Sequence, residues 1–202
     1  MKKIGLIALA LVLGLGALGV AYAPWTDEVY IEQVVETGTL CLGIVHADVR
    51  VRGDTKNIMT VEWEWEDFLG EKDYGNPDWD NEVYRRMLIT MHNAYPCVLV
   101  DTEFYVTTLC SVPLHITGLN VYDPTGYLTH EWETASVGFF YVTGDENKTH
   151  IINTRIINLV GTQLHECDVD KADFWVKFKQ PMEQNREYNI VLEVLATQYN
   201  WP

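Results

Sequence analysis

Apolar and polar residues alternate with a period of two along much of this chain, most clearly between Arg86 and Val121. There Met87, Ile89 and Met91 alternate with Leu88, Thr90 and His92, and Asn93-Ala94-Tyr95-Pro96 marks a turn. Val100, Thr102, Phe104, Val106 and Thr108 then share one face, with Asp101, Glu103, Tyr105 and Thr107 on the other. Such a period predicts antiparallel strands buried on one side. The pattern recurs at Leu42, Ile44, Ala47, Val49 and Val51, with a bulge expected near His46. It recurs again where Val61, Trp63 and Trp65 face away from Glu62, Glu64 and Glu66. Ala172, Phe174, Val176 and Phe178 alternate with Asp173, Trp175 and Lys177 until Gln180-Pro181 stops the run. Val137 to Val142, Ile151 to Val160 and Tyr188 to Thr197 complete the β-prone segments, and Asp123-Pro124-Thr125-Gly126 and Gly144 to Thr149 separate them as turn and loop. The expected fold is an all-β, antiparallel β-sandwich of jelly-roll type, with about eight to ten strands.

The N-terminus breaks this pattern. Lys2-Lys3 precedes an apolar run from Ile4 to Val20 that ends in Ala21-Tyr22-Ala23, the layout of a secretory signal helix. Glycines at 5, 14, 16 and 19 weaken it as a permanent anchor, and Pro24 favours cleavage after Ala21. The expected organisation is a signal peptide over 1–21, a leader over 22–36 and one β-domain over 37–202; an uncleaved tether is the alternative. Within the leader, Val29, Tyr30, Ile31, Val34 and Val35 form a short β-prone piece, read either as an ordinary first strand or as one that leaves its own sheet.

The formal charge of −15 and a pI near 4.6 argue against a nucleic-acid surface or a polybasic membrane patch, so any membrane contact is expected through the signal segment alone. Four cysteines in an exported chain point to disulfides. Cys97 and Cys167 each follow a turn and precede a strand, and the expected pairing is Cys97 with Cys167 and Cys41 with Cys110, other connectivities staying open. In the loop from Glu71 to Glu82, Asp73, Asn76, Asp78, Asp80 and Glu82 offer oxygen ligands of the kind calcium takes, without the spacing of an EF-hand. A solvated acidic loop is the competing reading. Asn147-Lys148-Thr149 is a glycosylation sequon in a loop, and Arg52-Gly53-Asp54 an adhesion-like tripeptide too short to be specific.

Catalytic patterns are missing. No H-E-x-x-H, G-x-S-x-G or phosphate-cradling glycine loop occurs, and the histidines stand singly. Tryptophans that alternate within strands read as core more readily than as a carbohydrate platform.

Asn93-Ala94-Tyr95-Pro96 followed by a strand and by Val112-Pro113-Leu114-His115-Ile116 resembles the core hairpin of the TasA and camelysin family of secreted fibre-forming proteins. Cys97 and Cys110 stand where that pattern has glycine. The precursor stretch Ala21-Tyr22-Ala23-Pro24-Trp25-Thr26-Asp27-Glu28 and the ending Ala196-Thr197-Gln198-Tyr199-Asn200 are similar to the same family, while Glu62 to Val83 matches nothing in it. The resemblance implies processing by a dedicated signal peptidase, while the missing catalytic patterns give the expectation of no enzymatic activity and no cofactor, calcium aside. The resemblance further implies self-association into extracellular filaments, surface layer or biofilm matrix, with the leader adding as a strand to a neighbouring subunit. A monomeric surface module for carbohydrate or calcium is the alternative expectation, and a camelysin-type metalloprotease the third.

Overall fold

A computed structural model describes residues 41–73, 75, 81–166, 168–184 and 186–198; the signal segment, the leader with Val29, Tyr30, Ile31, Val34 and Val35, and Cys167 lie outside them. All regular structure among the described residues is β. The strands are β1 (Leu42–Arg52), β2 (Thr60–Glu71), β3 (Glu82–His92), β4 (Leu99–Thr108), β5 (Leu114–Tyr122) and β6 (Leu128–Trp132), then β7 (Val137–Val142), β8 (Ile152–Ile157), β9 (Gln163–Leu164), β10 (Val169–Phe178) and β11 (Tyr188–Gln198). They pair antiparallel in the order β6-β7-β8-β10-β4-β1-β3-β11-β5-β9, with β2 added to β3. The sheet curls over a single apolar core.

That core is the inward side of the alternation. Met87, Ile89 and Met91 from β3, Val100, Phe104 and Val106 from β4, and Phe174, Val176 and Phe178 from β10 are all buried in it, with Ile190 and Leu192 from β11. Burying side chains of this size stabilises by about 1.5–3 kcal/mol each before entropy is counted. The expected bulge is present, as the β1–β4 register shifts between Ile44 and His46.

The curl turns at β1. Along its length β1 pairs with β4, but toward β3 it makes only the pair Ile44↔Tyr84. Gly43 makes this approach sterically feasible: a Cβ there would lie 2.5 Å from Val83 Cγ1 and 2.7 Å from the Tyr84 carbonyl oxygen. No real side chain tolerates that, so the corner requires glycine for space.

Two expectations need correction. The strands over 86–121 are where the alternation puts them, but they do not form a hairpin: β1 lies between β3 and β4, and β5 pairs with β11 and β9. The turn after His92 is a crossing, with Asn93 and Cys97 at φ 54° and 74°, and the Cys97 N–H donating to the Phe178 carbonyl at 3.0 Å. Cys97, expected to bridge to Cys167, is a free, exposed cysteine. The reason is register. Cys97 precedes the start of β4, where Leu99 pairs with Lys177, whereas Val169 pairs with Thr107 at the other end. At ~3.3 Å per residue those ends are about 26 Å apart.

The other expected bridge is present. Cys41–Cys110 joins positions 69 residues apart, with Cα atoms at 5.5 Å, beside a Leu109 N–H that donates to the Cys41 carbonyl at 2.9 Å. It ties the start of β1 to the end of β4. A loop this long predicts that Cys41→Ser/Cys110→Ser loses about 2–4 kcal/mol. Urea unfolding of oxidised wild type and double variant at equal m-value measures the difference; equal midpoints would show the bridge to be energetically idle.

Candidate assembly interface

A curled sheet that does not close has edges, and among the described residues this one has three: β2, β6 and β9. Strand β9 is two residues long and offers little. The other two differ in how they are guarded.

Strand β6 is latched. Trp132 Nε1 donates to the Leu119 carbonyl of β5 at 3.1 Å, so a side chain takes the place of a ladder bond across the seam. An open cleft of about 460 Å³ lies over it, lined by Gly118, Asn120, Trp132, Ala135 and Leu195. Behind the latch, His130 stacks edge-on against Trp132 and Phe140 at 4.6 and 4.7 Å between ring centroids, and its Nε2 meets Thr154 Oγ1 at 2.9 Å. Gly138 lies across the β6–β7 ladder, where a Cβ would stand 2.8 Å from His130 Nε2, so the imidazole occupies that space. Burial drives the His130 pKa down to about 4, outweighing the nearby Glu131 charge that raises it.

Strand β2 is long and, among the described residues, pairs with β3 alone. Val61, Trp63 and Trp65 sit opposite Met91, Ile89 and Met87. Val61 and Trp65 pack on the rim of the core, but Trp63 overhangs it and is 41% exposed. Phe68, after Asp67 at φ 58° and just before the register shift between Phe68 and Gly70, is 56% exposed and meets Tyr84 edge-on. Glu62, Glu64 and Glu66 line the other face, and Arg86 holds Asp67 at 3.0 Å. Charge and a bulge are how an exposed edge avoids unwanted pairing. The two exposed aromatics nevertheless leave apolar area for an added strand to cover.

The remaining expected site residues are dispersed. Asp73 accepts from the Gly75 N–H at 2.8 Å and Glu82 accepts from the Tyr84 hydroxyl, while Asn76, Asp78 and Asp80 lie outside the described residues. Among the described residues no three His, Cys, Asp or Glu side chains converge on a metal position. Asn147 is exposed in its loop. The Arg52-Gly53-Asp54 segment is used internally: Arg52 pairs with Asp101, and Asp54 accepts from the Tyr95 hydroxyl and from the Met59 N–H at 2.9 Å. Phe68 was not foreseen as a surface residue, and Trp63 was expected in the core; β2 being an edge strand explains both. The chain matches no protein-family model, no characterised protein and no solved structure.

The latch predicts a pH dependence. A histidine whose folded pKa is depressed contributes stability in full above its ordinary value near 6.5, and loses it as pH falls toward about 4. The full effect is roughly 3 kcal/mol. Glu131, held below the usual carboxylate range by Lys148 and the Tyr141 hydroxyl, acts in the same direction at lower pH. Thermal unfolding of wild type should fall between pH 6.5 and 4.5, and His130→Gln should flatten that window. An unchanged slope in the variant would remove His130 as the cause.

Proposed function

We propose that the chain is a secreted structural subunit of an extracellular fibre, surface layer or biofilm matrix, assembling by β-strand addition, in which residues 22–36 of one copy pair with the free edge of β2 in the next. The observation that carries this reading is the contrast between edges: β6 is bolted to β5 by Trp132, whereas twelve residues of β2 have a partner on one side only among the described residues. In strand addition the main chain supplies the hydrogen bonds, and alternate side chains supply register. Val29, Ile31 and Val35 would lie against the exposed aromatics of β2. A contact between two different surfaces does not close on itself, so it propagates as a filament.

The fold reading that accompanies this is a jelly-roll type sandwich, with β6-β7-β8-β10-β4-β1 as one layer and β2-β3-β11-β5-β9 as the other. It is supported by the single Ile44↔Tyr84 pair through which the ladder passes between them.

Electrostatics sets the conditions. Asp27, Glu28, Glu32 and Glu36 make the leader as acidic as the Glu62, Glu64 and Glu66 face it would approach. Like charges across a forming ladder repel, and salt screens exposed charges beyond about 8–10 Å. Filaments should therefore form faster at 0.5 M than at 0.02 M NaCl. Deleting residues 22–36 should leave a soluble monomer, as should Trp63→Lys, which places a charge on the apolar side of the edge. Negative-stain microscopy and light scattering read these outcomes. Undiminished filaments from both variants would refute the proposal.

A further inference from the structure

The outward face of the sheet, away from β2, carries a second feature. Strands β8 and β10 pair so that Arg155 lies opposite Trp175 and Asn153 opposite Lys177, while Val137 flanks Arg155 from β7 and Leu99 flanks Lys177 from β4. These six residues line an open cleft of about 380 Å³, at the lower end of the range that small-molecule sites occupy. Its components are unlike the rest of this acidic surface. Arg155 stands over the Trp175 ring at 5.8 Å from the centroid, and neither Arg155 nor Lys177 enters an ion pair among the described residues. Of the carboxylates on this face, Asp101 pairs with Arg52 and Glu103 with Lys171 at 2.6 Å, while Asp173, two residues before Trp175, enters no ion pair among the described residues and is the one acidic group Arg155 and Lys177 would have to outweigh. Trp175 Nε1 and Asn153 Oδ1, one donor and one acceptor, are shut from solvent with no hydrogen-bond partner among the described residues, as is Asp101 Oδ1 on the residue paired with Trp175. Leaving such groups unmet costs about 1–3 kcal/mol each.

We propose that this cleft binds an anionic saccharide of the uronic acid type. Each component answers one part of such a ligand. The half-buried indole offers an apolar face to the C–H bonds of a pyranose ring, with Leu99 and Val137 beside it. Arg155 and Lys177, both on exposed flexible stems, meet the carboxylate, the arginine able to do so through two parallel N–H donors. A sugar hydroxyl both donates and accepts, so hydroxyls entering beneath these stems would supply an acceptor for Trp175 Nε1 and a donor for Asn153 Oδ1. The site is independent of strand addition, since it lies on strands that make no pairing with β2. In a matrix subunit it would attach protein filaments to acidic polysaccharide.

The test is titration calorimetry of the purified full chain at 0.02 M NaCl, where assembly is slow, with hexagalacturonate as the probe and a neutral gluco-hexaose as the control. The expected result is binding of the acidic oligomer at least tenfold tighter than the neutral one. Arg155→Ala and Lys177→Ala should each weaken it about fivefold to tenfold, and Trp175→Ala should abolish measurable heat. Both cationic side chains are exposed, so their variants should melt with the parent, which separates lost binding from lost folding. Absence of binding by the parent, equal affinity for both oligomers, or unchanged affinity in Arg155→Ala and Lys177→Ala would each overturn the proposal.

Discussion

The fold depends on one close approach, the passage of the ladder from β1 to β3 at Ile44↔Tyr84, with Gly43 permitting it. Had β1 paired with β3 along its whole length, the sheet would continue through that point without a corner. Because the pairing is confined to one position, the sheet can curl there over its apolar core. The bulge after Ile44 serves the same end: it lets Val45 be buried along with Ile44, and it restores the alternation from Ala47 onward against β4. The Cys41–Cys110 bridge sits next to this region, fixing the β1–β4 register at the end where the corner would otherwise pull on it.

Local alternation was legible because it has a direct physical cause: a strand with one buried face must repeat every second residue. The inward set Ala172, Phe174, Val176 and Phe178 is found where the pattern puts it, and Val137–Val142 is a short strand buried along its centre. Partner choice was not legible. The Asn93–Pro96 turn has the chemistry of a hairpin, yet the chain crosses there, because β1 outcompetes β3 for β4 through ten paired positions. Nor does alternation alone say how far a strand runs: of the β-branched stretch from Ile151 to Val160 only Ile152–Ile157 is strand, since Asn158 at φ 59° turns the chain out. Trp63 shows the same limit: it belongs to a clean alternation, but burial depends on what covers the strand, and an edge leaves it overhanging. Trp175 shares the polar parity of Asp173 and Lys177, a signal that its ring faces outward rather than into the core.

The two long or accessible edges are treated in opposite ways, and the chemistry explains why. At β6 the protein uses a buried imidazole, an indole N–H and a glycine to hold the seam shut. These are short-range contacts in a desolvated setting, which salt scarcely touches but protonation weakens. At β2 it uses exposed carboxylates and a bulge. Those act over a distance, and counterions weaken them without any change in the fold. Such guards would separate stability from the proposed association: acid would loosen the seam and threaten the fold, while ionic strength would act on the edge and leave the core intact. On the proposed reading, acidity of the whole chain would act less as a solubility device than as a threshold for a second copy, and the exposed Trp63 and Phe68 would supply the apolar surface that makes crossing it favourable.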